Sequence, residues 1–221
     1  MQLQAGYSKA EVVMEERNQL VETSRRLVSD GINRGTSGNV SLRFGQGFLI
    51  TPSGIEPNRM SADDICLLDK AGNLIEGQKP SSEWRMHRDV YLARPDIHAV
   101  VHTHSTFATT IACMEQDVPP FHYMIAVTGG NTIPCAPYAL FGSQELSDAA
   151  VAALGKGYAC LLAHHGMLAA GYSLDHALAV TIEAESLCEQ YWRLLQTSKV
   201  PLLNDAQMAA VHDRFKDYFK R

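Results

Sequence analysis

The sequence has no CxxC pair, no low-complexity tract, no surplus of positive charge and no apolar run long enough to cross a bilayer. Its five cysteines (Cys66, Cys113, Cys135, Cys160, Cys188) are scattered and odd in number, which indicates neither a disulfide framework nor a cysteine zinc site. A reducing, cytoplasmic setting is expected. With 19 basic against 24 acidic residues, the formal charge of −5 gives no global attraction to nucleic acid, although a local patch could still hold a small anion. Residues 1–20 carry charges of both signs, and no run approaches the roughly 18 apolar residues of a span, so neither secretion nor membrane insertion is expected. No Pro/Ser-rich stretch marks a linker. Residues 1–221 therefore read as one domain around one sizeable core.

What is present is a mixture of strand and helix signals. Ser8 and Glu11 stand at capping-box spacing, Val13, Leu20 and Leu27 follow at heptad spacing, and Gly31 supplies a stop, which predicts an amphipathic first helix. "NVSLRF", "GFLITP" and "ICLLD" are short β-prone runs parted by turn residues, an antiparallel meander. "PSSEWRMHRDVYLARPD" reads as a helix capped by Ser81 or Ser82, with Met86, Val90 and Ala93 on one face and Pro95 at its end. Next come a strand at "HAVVHTH", a helix capped by Ser105, an extended edge at "NTIPCAPYA" and a capped helix at "SQELSDAAVAALG". "YACLLAHHGMLAAG" is either one buried strand or two with a turn at His165–Gly166, and helices from Ser173 to about Gln196 and near the C-terminus complete the chain. Strands interleaved with capped helices predict a mixed α/β fold.

Three of nine histidines crowd into "IHAVVHTHST". His102 and His104, two apart on a strand, project from one face, a spacing that suits two ligands of one metal and equally suits a solvated face. A second apolar run, "LLAHHGML", also ends in histidine, and buried strands seldom end in imidazole without a polar partner. Three imidazoles would leave an open fourth position, the pattern of catalytic zinc. His98 reads as a surface residue, and His87, His176 and His212 have no partner at metal spacing. Glu83 early in a helix is by default a favourable charge at the macrodipole. "KPSSEW", however, also offers hydroxyls and helix N-terminal amides, and "GTSGN" and "TPSG" are two further loops able to turn N–H groups toward a phosphate.

Together, "GTSGNVSLRF", "LITPSGI", "KPSSEWRMH", "AVVHTHS", "HYMIAVTGGNTIPCAPYALFG" and "LLAHHGML" resemble, in order and spacing, the class II aldolase and epimerase family. The resemblance runs from the first helix to "FKDYF". It implies a three-layer α/β domain with a nine-stranded, mostly antiparallel sheet flanked by helices, assembled as a homotetramer with active sites at subunit interfaces. It implies one Zn2+ per subunit, held by His102, His104 and His165, with Glu83 as acid and base. Asn39, Ser53, Gly54, Ser81 and Ser82 match phosphate-binding positions. Tyr123 matches a tyrosine from an adjacent subunit that handles the proton on the aldehyde oxygen, and Phe141 and Tyr218 match residues that close the site. The implied reaction is reversible cleavage of L-fuculose 1-phosphate, or a similar deoxyketose 1-phosphate, to dihydroxyacetone phosphate and L-lactaldehyde or another short aldehyde. The same scaffold also supports L-ribulose-5-phosphate 4-epimerases, other sugar-phosphate lyases and decarboxylases, and the non-catalytic adducin head. Glu83 and the "HYMIA" and "YALFG" segments favour the aldolase branch.

Overall fold

A computed structural model describes residues 9–197 and 199–218, with side chains between 13 and 216. The first helix, α1 (Lys9–Ser29), runs into the meander β1 (Asn39–Phe44), β2 (Gly47–Ile50), β3 (Cys66–Leu68) and β4 (Leu74–Glu76). Then follow α2 (Trp84–Ala93), β5 (Ala99–Thr103), α3 (Thr106–Cys113), β6 (Cys135–Ala136), α4 (Gln144–Leu154), β7 (Ala159–Leu162), β8 (Gly166–Gly171), α5 (Leu174–Leu194) and α6 (Asp205–Tyr218). The Ser8–Glu11 capping box lies outside the described side chains.

The strands form one sheet in the order β4-β3-β2-β1-β5-β8-β7-β6. Every pair is antiparallel except the edge pair β6–β7. Among the described residues the sheet has eight strands, not the nine expected. The proline-flanked "PCAP" segment sits at the edge, where missing N–H donors cost no ladder bonds. "YACLLAHHGMLAAG" is two strands joined by a turn, with His164 at φ 55.

Period-two alternation assigns the faces. Val100, Cys160, Leu162, Leu168 and Ala170 pack with Met86 and Val90 of α2 and Leu146, Ala150 and Leu154 of α4. Ala159, Leu161, Met167 and Ala169 turn the other way, toward α3 and α5, while Ala99 and Val101 meet Leu20 and Leu27 of α1. Helices thus cover both faces of the central strands, which explains why β5, β7 and β8 are buried at every position and read as continuous apolar runs. Ala93 is exposed rather than part of the apolar face of α2, and the buried Tyr91 takes the place expected for it.

Two helix starts differ from expectation. Ser143 and Ser173 accept from Leu146 N–H and His176 N–H at 3.1 Å, ordinary caps for α4 and α5. Ser105, by contrast, donates its hydroxyl to Glu185 of α5 at 2.7 Å, and that carboxylate accepts from Phe107 N–H and Ala108 N–H, each at 2.8 Å. A residue of α5 therefore caps α3. At α2 the N-cap is Glu83, not Ser81 or Ser82, and Glu83 makes no side-chain cap because its carboxylate is directed elsewhere.

Candidate metal and substrate site

The C-terminal end of β5, the start of β1, the N-terminus of α2 and the β7–β8 turn meet at one point. Antiparallel register sets Asn39 directly opposite His102, and the neighbouring strand sets Leu168 opposite His102. His104 lies just past the end of β5, yet its Nε2 is 3.1 Å from that of His102. In the β7–β8 turn, left-handed His164 points outward to Glu115, and His165 turns inward. The rings of His102, His104 and His165 stand edge to face, with centroids 4.8–4.9 Å apart.

Glu83 enters this triangle from α2. Its Oε2 lies 3.1 Å from His102 Nε2 and its Oε1 3.1 Å from His165 Nε2. Burial alone would raise the Glu83 pKa, but the adjoining His102 and His165 imidazoles outweigh it and hold the carboxyl well below its usual range. The converse holds at His102, where burial disfavours charge and the Glu83 carboxylate reverses the sign, raising the pKa. His104 is pushed down to about 4, first by burial and then by its two imidazole neighbours, so it is neutral at pH 7.

Two features of this group fit a divalent cation. His102 Nδ1–H donates to the Met167 carbonyl at 2.9 Å, the arrangement that fixes a ligating imidazole's tautomer and leaves Nε2 with its lone pair. Nitrogens bound tetrahedrally to zinc at about 2.0–2.1 Å lie about 3.3 Å apart. The 3.1 Å between His102 and His104 is close to that edge. A shared proton would account for this pair alone; it does not account for the third imidazole or for Glu83 Oε1, which is buried without a well-aligned hydrogen-bond partner. Donor atoms of Glu83, His102, His104 and His165 all lie within 4.8 Å of one another.

The cluster floors a cleft of about 180 Å³. Thr36, Ser37, Gly38 and Asn39 form one wall, Pro52, Ser53 and Gly54 a second, and Ser81 and Ser82 a third, with Phe141 at the rim. Gly38 is obligatory: at φ 78, a Cβ would stand 2.4 Å from Asn33 Nδ2 and 2.7 Å from the His102 carbonyl. The expected amide cradle is partly spent inside the protein. Ser53 N–H goes to Lys79 O, Ser81 N–H to Thr51 O, Glu83 N–H to Ser81 Oγ and Trp84 N–H to Ser81 O. Ser53 can therefore offer the cleft its hydroxyl, not its amide.

Of the residues expected at the site, the structure brings together Asn39, Ser53, Gly54, Ser81, Ser82, Glu83, His104, Phe141 and His165 along the cleft, with His102 buried behind. Tyr123 does not line it. It lies half-exposed in a short 3-10 segment (Tyr123–Thr128), its ring 6.3 Å from that of Phe215. Tyr218 ends α6, and its side chain lies outside the described residues. Sequence reasoning missed His87, which is fully buried and hydrogen-bonded to Asn39. The available signal was its spacing, four residues after Glu83 on the same helical stripe.

Known proteins share this sequence pattern and fold. Residues 18–192 match the family model described as Class II Aldolase and Adducin N-terminal domain. Over 202 residues the chain is 46% identical to the 5-methylthioribulose-1-phosphate/5-deoxyribulose-1-phosphate aldolase of Rhodospirillum rubrum, covering 91% of each. The L-fuculose phosphate aldolase of Escherichia coli K12 is 44% identical over 201 residues, covering 90% of this chain and 94% of that one. A solved L-fuculose 1-phosphate aldolase superposes with a TM-score of 0.88 at 37% identity, covering 90% of this chain and 95% of that one. The chain belongs to the class II aldolase and adducin N-terminal domain family.

Proposed function

We propose that the protein is a metal-dependent aldolase that cleaves a deoxyketose 1-phosphate reversibly to dihydroxyacetone phosphate and a short aldehyde. The observation that carries this reading is the placement of Glu83, buried among three converging imidazoles at the floor of a cleft walled by Gly/Ser/Thr loops. His102, His104 and His165 would hold the cation, and three imidazoles favour zinc. When bound there, it would supply a Lewis acid for the ketose carbonyl and hydroxyl oxygens as negative charge develops.

The chain's own residues do the rest. Hydroxyls of Ser53, Ser81 and Ser82, with Asn39 and Gly54, seat the phosphate and so bring a small flexible substrate to a fixed distance from Glu83. Glu83 returns a proton to the carbon of the dihydroxyacetone phosphate half after the carbon–carbon bond breaks. The departing hydroxyl gives its proton to the phenolate of Tyr123 from an adjacent subunit, and passage of that proton to solvent balances the one Glu83 takes up from solvent and delivers to carbon; Tyr123 of the same chain lies away from the cleft. A homotetramer with sites at its interfaces, in the cytoplasm, completes the reading. Phe141 and Tyr218 close over the substrate.

Two substrates fit the class. L-Fuculose 1-phosphate would leave L-lactaldehyde and a 5-deoxypentulose 1-phosphate would leave acetaldehyde; 44% identity to an aldolase named for the first and 46% to one named for both 5-methylthioribulose 1-phosphate and 5-deoxyribulose 1-phosphate supports both. The two aldehydes differ by one hydroxyl-bearing carbon; a hydrophobic pocket would separate them by only about 1–3 kcal/mol, so both should react at unequal rates, whereas a pocket that hydrogen-bonds the hydroxyl would select L-fuculose 1-phosphate far more strongly. The test is release of dihydroxyacetone phosphate from each, with L-ribulose 5-phosphate as a control for epimerisation. Release from either ketose 1-phosphate supports the reading, and epimerisation of the control without any release would overturn it.

A further inference from the structure

Behind Glu83, strand β1 and helix α2 meet along two polar stripes inside the core. Asn39, Ser41 and Arg43 alternate on one face of β1. Glu83, His87 and Tyr91, four residues apart, line one face of α2. They interlock rung by rung. Asn39 Nδ2 donates to Glu83 Oε2 at 3.0 Å, His87 Nε2 makes a short hydrogen bond to Asn39 Oδ1, Ser41 Oγ lies 2.6 Å from His87 Nδ1, and Tyr91 OH lies 2.7 Å from Ser41 Oγ. At the far end, Arg43 donates to the carbonyls of Tyr91, Arg94 and Ile97, with its guanidinium over the Tyr91 ring. Asn39, Ser41, Glu83, His87 and Tyr91 are all buried.

This chain of hydrogen bonds has one allowed direction. An ionised carboxylate only accepts, so the amide group facing Glu83 must be the NH2 of Asn39. Its Oδ1 then faces His87 and can only accept, so His87 must carry its proton on Nε2. The bare Nδ1 accepts the Ser41 hydroxyl proton, and Ser41 accepts from Tyr91. Every donor and acceptor is matched only if the imidazole is neutral in this one tautomer. Burial pushes its pKa down to about 3, in keeping with that state.

We propose that His87 is a positioning residue for the reaction, holding Asn39 in the one amide orientation that fixes Glu83 between His102 and His165. It touches neither substrate nor cation. Without it the Asn39 amide is free to turn its oxygen toward the carboxylate, which repels Glu83 instead of anchoring it. Outer partners of this kind commonly contribute about 10- to 100-fold to activity.

The activity arm of the test rests on the aldolase reading; the spectroscopic arm does not. Imidazole 15N NMR on the wild-type protein should show His87 protonated at Nε2 and bare at Nδ1 between pH 6 and 8; the reverse tautomer overturns the proposal. The two amide variants separate hydrogen bonding from packing. His87→Gln can place an N–H near Nε2 and keep the bond to Asn39, whereas His87→Asn reaches only the Nδ1 position. On whichever ketose 1-phosphate the wild type cleaves, His87→Asn should lose about 10-fold or more in kcat, with a smaller rise in KM because Asn39 also faces the phosphate, and with metal content unchanged; His87→Gln should recover most of the kcat. Equal losses in both variants, or a loss that follows KM or metal content, would show a merely structural role. Should His87→Asn fail to fold, Ser41→Ala removes the hydroxyl that holds Nδ1 bare. It should weaken the Nε2–H tautomer and lower kcat in parallel, and an unchanged tautomer overturns the proposal.

Discussion

Replacing Glu185 with Ala probes how the fold holds the loop that carries His104. The carboxylate accepts from Ser105 Oγ, Phe107 N–H and Ala108 N–H at 2.7–2.8 Å, and Ser105 directly follows His104. A lost N-cap costs about 1 kcal/mol, the charge at the helix N-terminus about 0.3–1, and an orphaned buried donor about 1–3. Ser105 is fully buried, whereas Glu185 is only partly so and water can reach some of the vacated space. The expected loss is therefore about 2–4 kcal/mol, a sizeable share of the roughly 5–15 that holds a domain folded. Urea denaturation should show a lower midpoint with an unchanged slope. Glu185→Gln, which keeps one good acceptor without the charge, should lose about half as much, and metal affinity should fall with stability as His104 loosens. A Glu185→Ala loss below about 0.5 kcal/mol, the ordinary surface value, would refute the claim that a carboxylate from α5 caps α3.

Further perturbations separate the remaining roles. Glu83→Gln should retain metal and lose most turnover, whereas His104→Ala should lose both; equal metal loss, measured by elemental analysis, would show that Glu83 is misassigned. Gly166→Ala would place a Cβ 2.2 Å from the Thr103 carbonyl and 3.1 Å from His104 Cδ2, so it should cost about 1–3 kcal/mol and weaken metal retention. A variant as stable as wild type would show that the turn yields freely. His87, with its folded pKa down near 3 against an ordinary 6.5, favours the folded state above pH 6.5 and loses that contribution as pH falls through the interval to about 3. The slope attributable to it is up to about 1.4 kcal/mol per pH unit. Denaturation midpoints of His87→Gln should fall less steeply with acid than those of wild type, and parallel curves would exclude His87 as the source.

Much of the architecture was legible because its signals are local. Ser143 and Ser173 announce α4 and α5 by their caps, and the buried runs of β5, β7 and β8 announce a sheet covered on both sides. His102 and His104 were legible as a same-face pair and the second apolar run as the source of a third imidazole, but the choice of His165 over His164 and the union with Glu83 were read only through family resemblance, since spacing cannot bring β5, the β7–β8 turn and α2 together. The illegible parts depend on long-range partners. Ser105 holds the N-cap position of α3, but its side chain does not supply the cap, because Glu185 arrives from 80 residues away. Glu83 resembles an ordinary early-helix carboxylate, yet the fold turns it from the helix amides toward two imidazoles. His87 shows no metal spacing, and its partners Asn39 and Ser41 come from β1, more than forty residues earlier. Tyr123 stays away from its own cleft, and no intrachain pattern assigns it a substrate.

The central claim, that this Glu–imidazole cluster drives aldol cleavage with a bound metal, is tested most directly by release of dihydroxyacetone phosphate before chelation, after it, and after zinc is restored. The account predicts release from L-fuculose 1-phosphate or a 5-deoxypentulose 1-phosphate that chelation abolishes and zinc restores. Release that survives complete metal removal, or none from either substrate with metal bound, would contradict it.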